Sequence, residues 1–99
     1  MVDARLISFT ARSKRRIEVL KLLSETQKMS QPEIMRTSKQ YKSHNSRTLK
    51  ELVEKKLISC INPSDRAFKF YKITQKGKEV LAGVESIFSS SYSNHSKYN

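Results

Sequence analysis

Between Tyr41 and Lys50 the chain carries Tyr41, Lys42, Ser43, His44, Arg47 and Lys50. Phenol, hydroxyl, imidazole, guanidinium and ammonium groups at these spacings suit hydrogen bonding to an anionic polymer better than bond-breaking chemistry. At about 3.6 residues per helical turn, Leu49, Leu52 and Val53 form an apolar stripe, and Ser43, His44, Arg47, Lys50, Glu51 and Glu54 fall on the opposite side. The cations occupy the N-terminal half of that outer face and the acids its C-terminal half. A helix dipole favours the reverse order by about 0.3–1 kcal/mol per charge, so helix stability does not account for it. A recognition helix does, because its N-terminal residues enter the major groove of DNA while its far end leaves it.

From Ile34 to Lys50 there is no acidic residue, whereas Arg36, Lys39, Lys42, Arg47 and Lys50 are all present. The competing arrangement pairs Arg47 with Glu51 and Lys50 with Glu54 as surface ion pairs, each worth about 0.2–0.5 kcal/mol, with base before acid the weaker order. Arg47 is the strongest candidate for reading a base, since one guanidinium bonds guanine O6 and N7 together. Ser43 and His44 read base edges or touch phosphate; Lys42 and Lys50 suit phosphate. Tyr41 either packs in the turn or contacts the nucleic-acid backbone. Asn45 falls on the core side beside Leu52, as a hydrogen-bonded buried amide or as a side chain turned toward DNA.

The elements that must hold these groups are legible from period and punctuation. Ile17, Leu20 and Leu23, widened by Val19 and Leu22, predict an amphipathic helix over Ser13–Ser24, with Leu6, Ile7 and Phe9 as a short arm or an early turn of it. Ser30 and Glu33 form a capping-box pattern with Met29 and Ile34 at the staple positions, so a helix starts at Ser30 and ends near Thr37 or Ser38; Pro32 is tolerated in its first turn. The third helix runs from Tyr41 or Ser43 to Lys55. Ile58–Asn62 and Ala67–Ile73, separated by Pro63, Ser64, Asp65 and Arg66, predict a β-hairpin. Arg66 and Lys69 stand at or near its turn, and Ser30 and Gln31 at the second helix's start are expected to meet the same ligand. Phe68, Phe70, Tyr71 and Ile73 are expected in the core rather than as a base-stacking platform. Thr74 caps a final helix that carries Val80, Leu81, Val84, Ile87 and Phe88 to about Ser89. The fold class is therefore mainly α with a hairpin, in the order helix, helix, helix, hairpin, helix, over residues 1–88. Residues 89–99 lack periodicity and are expected to be disordered.

Lys and Arg number 20 against 9 Asp and Glu, a net charge of +11. Such an excess repels itself unless a polyanion offsets it. No apolar run reaches the roughly 18 residues of a membrane span, and Met1–Thr10 lacks the order of a secretory leader, so a cytoplasmic protein without membrane contact is expected. Cys60 is the sole cysteine, which leaves no internal disulfide and predicts a small buried hydrophobe. Glycine occurs only as Gly77 and Gly83, so there is no glycine-rich phosphate loop, and no ligand spacing links His44 or Cys60 to a metal. Neither enzyme activity, nor a metal, nor a cofactor is expected.

The stretch Tyr41–Ile58, YKSHNSRTLKELVEKKLI, followed by CINP and FYKITQKGKEVL, resembles small archaeal winged helix-turn-helix transcription regulators, related broadly to the ArsR and MarR groups. The resemblance spans roughly residues 7–85. It implies sequence-specific binding of double-stranded DNA, with the helix 43–55 in the major groove and the hairpin as the wing. It supports Tyr41, Lys42, Ser43, His44, Arg47 and Lys50 as the reading surface. The chain departs from that family at Lys56, where glycine is usual, and at Asn45, where an apolar residue is usual. It also lacks the cysteine pairs of metal-sensing members, so no metal response is implied, and a small-molecule effector stays open. Val84, Ile87 and Phe88 exceed what one small core needs and predict a homodimer, with two recognition helices about 34 Å apart on a palindromic site. The alternatives are a winged-helix protein-interaction module in a transcription or RNA-processing complex, and a binder of double-stranded RNA.

Overall fold

A computed structural model describes residues 3–96 of the chain. Helix α1 (Ala4–Ala11) begins at Asp3, whose carboxylate accepts the Arg5 N–H at 2.8 Å. Helix α2 (Lys14–Ser24) begins at Ser13, whose hydroxyl accepts the Arg16 N–H at 3.4 Å. Leu6, Ile7 and Phe9 thus belong to a helix of their own, because each N-cap side chain satisfies backbone donors that an unbroken helix would not expose. Helix α3 (Gln31–Ser38) starts at the expected capping box, and Met29 and Ile34 around it are both buried. Helix α4 covers Lys42–Glu54, and helix α5 covers Gln75–Ser96.

Strands β1 (Met29–Ser30), β2 (Ile58–Cys60) and β3 (Phe70–Ile73) form one antiparallel sheet in the order β1-β3-β2. Tyr71 pairs with Met29 on one side and Cys60 on the other. The hairpin is therefore shorter than the runs that predicted it, and the extra strand β1 occupies what would have been an open edge. The core is continuous across the elements: Val19, Leu20 and Leu23 of α2 meet Ile34, Leu49, Leu52, Leu57, Ile58 and Val80, each 2% exposed or less. At about 1.5–3 kcal/mol per buried aliphatic side chain, this cluster is what fixes α4 against α2 and the sheet. Cys60 is half-buried beside that cluster, with a free thiol.

Helix α5 departs from expectation at Val84 and in its length. Val84 is fully buried, so it is not available to a partner chain. The reason is α1, which packs along α5 with Leu6 and Ile7 and covers that turn. Ile87 and Phe88, by contrast, are 53% and 46% exposed. The helix also continues beyond Ser89 to Ser96, since no proline or glycine follows Gly83 to interrupt its backbone ladder. Of the segment expected to be disordered, residues 97–99 lie outside the described residues.

The end of α4 answers the question posed by Lys56. Its φ is 62°, in the left-handed region. The Leu57 N–H donates to Leu52 O at 2.9 Å and the Lys56 N–H to Val53 O at 2.9 Å, the paired bonds of a Schellman cap. Leu52 and Leu57, the apolar pair that accompanies such a cap, are fully buried. A side chain at this backbone conformation costs about 1–2 kcal/mol, partly offset in glycine by its greater freedom when unfolded. Lys56→Gly is accordingly expected to raise stability by about 0.5–1 kcal/mol, seen as a rise of several degrees in melting temperature. An unchanged or lower Tm would show that the turn is unstrained.

Candidate nucleic-acid interface

Helices α3 and α4 are joined by Lys39, Gln40 and Tyr41. Lys39 ends α3 in the left-handed region at φ 57°, and the Gln40 N–H donates to Met35 O at 3.2 Å. Tyr41 begins α4 without a side-chain cap, so the first backbone donors of α4 are not occupied by a side chain of its N-cap residue. Tyr41, Lys42, Ser43, His44, Arg47 and Lys50 are all exposed. The Tyr41 and His44 rings meet edge-on, with centroids 6.1 Å apart. Asn45 proves to be the buried amide: it is inaccessible to solvent and its Nδ2 donates to Gln40 Oε1 at 2.9 Å. Asn45 Oδ1 and Gln40 Nε2 have no partner. The amide therefore ties the turn to the helix instead of facing outward.

The surface ion pairs that would neutralise this face do not form. Glu51 turns inward to Arg16 of α2, with Nη2 3.2 Å and Nε 3.3 Å from Oε1. Arg16 also lies over the Phe9 ring, 3.7 Å from its centroid, and donates to the Phe9 carbonyl. One guanidinium thus ties α1, α2 and α4 together. Among the described residues this is the sole ion pair, which leaves Arg47 and Lys50 without carboxylate partners.

Gln31 at the start of α3 is held against α4, its Nε2 donating to Ser46 Oγ at 2.9 Å. Ser30, expected to meet the same ligand, is turned to its own helix instead. It is only 6% exposed, and its hydroxyl is consumed by the capping box with Glu33, at 2.9 Å to the carboxylate. The same Ser30 backbone and side-chain bonds, in that order of strength, hold the Glu33 carboxyl below its usual pKa. Sequence reasoning placed Ser30 correctly as a cap, and a residue spent on its own helix has no donor left for a ligand.

The wing is the loop between β2 and β3. Asn62 clamps it: Nδ2 donates to Phe68 O at 2.7 Å, and Oδ1 accepts the Phe70 N–H at 2.8 Å. Asp65 Oδ1 accepts the N–H groups of Ala67 and Phe68 at 2.8 and 3.1 Å. These donors, Phe68 first and Ala67 next, keep the Asp65 carboxyl below its ordinary pKa. Arg66, Phe68 and Lys69 are exposed around this turn. Phe68, expected in the core, is 58% exposed, because it lies outside β3 in the turn that Asn62 and Asp65 hold; Tyr71 is buried, and Phe70 and Ile73 are half-buried.

A groove lined by Gln31, Arg36, Lys42, Arg66 and Lys69 joins the starts of α3 and α4 to the wing. A second runs between α4 and the wing past Gln31, Ser46, Lys50 and Lys69. Sequence-separated candidates therefore share one surface. On the opposite flank of α4 lies a cleft lined by Arg12, Lys14, Arg15, Lys39, Tyr41 and His44. Its α2 residues were missed at the level of sequence, although the run RSKRR at residues 12–16 signals them. No cluster of metal-ligating side chains and no helix long and apolar enough to cross a membrane occurs among the described residues.

Residues 13–77 match the family model described as a winged helix DNA-binding domain. The chain belongs to this winged helix family. In winged-helix terms α3 and α4 are the helix-turn-helix and the β2–β3 loop is the wing. Similar solved structures include a MarR family transcription regulator, 18% identical with a TM-score of 0.78 over 96% of this chain and 64% of that one. They also include a mutant of MarR from E. coli complexed with operator DNA, 18% identical with a TM-score of 0.67 over 83% of this chain and 62% of that one. A third is a ZitR mutant from Lactococcus lactis in complex with DNA, 21% identical with a TM-score of 0.67 over 87% and 59%. At these identities the likeness is one of fold, and the winged-helix chain spans about six-tenths of the length of these proteins. No curated protein matches the sequence.

Proposed function

We propose that this winged-helix chain is a transcription regulator that binds double-stranded DNA sequence-specifically, without a catalytic step. The observation that carries this reading is the unpaired cationic front of α4, exposed from Lys42 to Lys50 while its back is buried on a winged-helix core. In the reading, Arg47 takes the base edge, with Ser43 and His44 beside it. Lys42, Lys50, Arg66, Lys69 and the amide of Gln31 hold phosphates, and Tyr41 packs on His44 and the backbone. Two of the similar structures contain DNA, which supports the same role for this scaffold. Exposed Ile87 and Phe88 support a homodimer through α5 on a palindromic site. The motif run from Tyr41 to Ile58 favours kinship with the small archaeal regulators, acting in the cytoplasm.

The test is titration of duplex DNA at several salt concentrations. The logarithm of the affinity is expected to fall linearly with the logarithm of salt, by about 0.9 per phosphate contacted. Lys42→Ala should weaken every sequence alike and reduce that slope by about one. Duplex RNA should compete poorly, because its deep, narrow major groove does not admit the helix. Binding that ignores salt, or no binding to any duplex, would overturn the DNA reading in favour of a protein-interaction module.

A further inference from the structure

We infer that the cleft between the start of α2 and the helix-turn-helix turn is a second phosphate-binding wall, which grips the DNA strand opposite to the one held by α3 and the wing. The inference rests on the DNA-binding reading and extends it to residues outside the helix-turn-helix. A helix with its side chains is about 10–12 Å across, and the major groove of B-DNA is about 12 Å wide. A helix seated there fills the groove, so phosphates of one strand pass along each of its flanks.

One flank of α4 is already basic, through Arg36, Lys42, Arg66 and Lys69. The other flank is the cleft carrying Arg12, Lys14, Arg15 and Lys39, with Glu18 as its one acid. Gln40 lines both grooves, and Tyr41 and His44 form the edge of the second, so the two walls meet at the leading end of α4. Among the described residues, none of Arg12, Lys14, Arg15 and Lys39 forms an ion pair, whereas Arg16 of the same run is spent on Glu51 and Phe9. Four of the five cations in the stretch 12–16 and the turn therefore remain free to meet phosphate, and they face one cleft. Simple solvation of a surface does not require them to converge beside the recognition helix.

Phosphate ethylation interference on a duplex selected for tight binding, combined with an Arg12→Ala/Arg15→Ala double variant, tests this. The unaltered protein should show blocked phosphates on both strands flanking the contacted groove. Within each subunit's half-site the double variant should lose interference on one strand only, bind selected and random-sequence duplexes more weakly by the same factor, and show a salt slope smaller per subunit by about two. Lys78→Ala, exposed on α5 and lining neither basic groove, should leave all three unchanged. Interference confined to one strand within each half-site with the unaltered protein overturns the inference, whatever the variant does. A folded double variant with an unchanged slope also overturns it, while leaving the DNA-binding reading intact. Absence of duplex binding by the unaltered protein overturns both.

Discussion

Arg47→Ala is expected to cost about 1–3 kcal/mol against a preferred duplex, roughly fivefold to 140-fold in affinity, and to cost much less against random sequence. Arg47 is exposed on the face of α4 opposite buried Leu49 and Leu52, and no carboxylate engages it. Its guanidinium is therefore presented to solvent at no cost of breaking a prior pair. Arg47→Lys should not restore preference, since an ammonium cannot reproduce the planar two-point contact. Fluorescence anisotropy with a selected duplex and a scrambled one separates the possibilities. Equal losses on both would reassign Arg47 to phosphate, and no loss on either would remove it from the interface.

Gly77→Ala is expected to destabilise the fold by at least about 3 kcal/mol, lowering Tm by more than about 12 °C. A Cβ there would stand 2.0 Å from Leu57 O and 2.8 Å from Ile73 Cγ1. The carbonyl cannot retreat: it accepts the Thr74 N–H at 3.0 Å and the Thr74 hydroxyl at 2.9 Å. The Thr74 hydroxyl in turn accepts the Gly77 N–H at 2.9 Å, so the start of α5 is bolted to the cap that ends α4. The gain of about 1 kcal/mol that alanine brings to a helix is far too small to offset the clash. At Gly83 the nearest atoms belong to the Ile7 side chain, which can rotate, so the same substitution there should cost less. Chemical denaturation of both variants checks the order, and a Gly77→Ala protein melting within two or three degrees of the parent would refute the clash.

Much of the fold was readable because its signals are local. The capping box at Ser30 and Glu33, the stripe of Leu49 and Leu52, and the paired β-runs each depend on residues a few positions apart. The departures arise where distant segments decide. Nothing near Glu51 in sequence announces that it turns to Arg16, and that single pairing leaves Arg47 free. The burial of Val84 depends on α1, and α1 was not separated from α2 although Asp3 and Ser13 are both cap residues. Strand β1, with only Met29 and Ser30, is too short to show alternation and exists because β3 offers it a partner. For the candidate site, the cationic face of α4 and the basic wing were apparent as composition. The Arg12–Arg15 flank was not, since only tertiary packing brings the start of α2 beside Tyr41 and His44. Asn45 and Lys56, the two departures from the resemblance, became intelligible only with backbone geometry in hand.

The clamps of Asn62 and Asp65 bear on what happens at first encounter with a ligand. Immobilising a residue of slack backbone costs about 1–2 kcal/mol. Here that ordering is accomplished within the folded subunit, by the four bonds that Asn62 and Asp65 make to Ala67, Phe68 and Phe70. Arg66 and Lys69 are thus carried on a hydrogen-bonded prong, so that on the proposed DNA-binding reading docking is expected to require no loop recruited from a disordered ensemble.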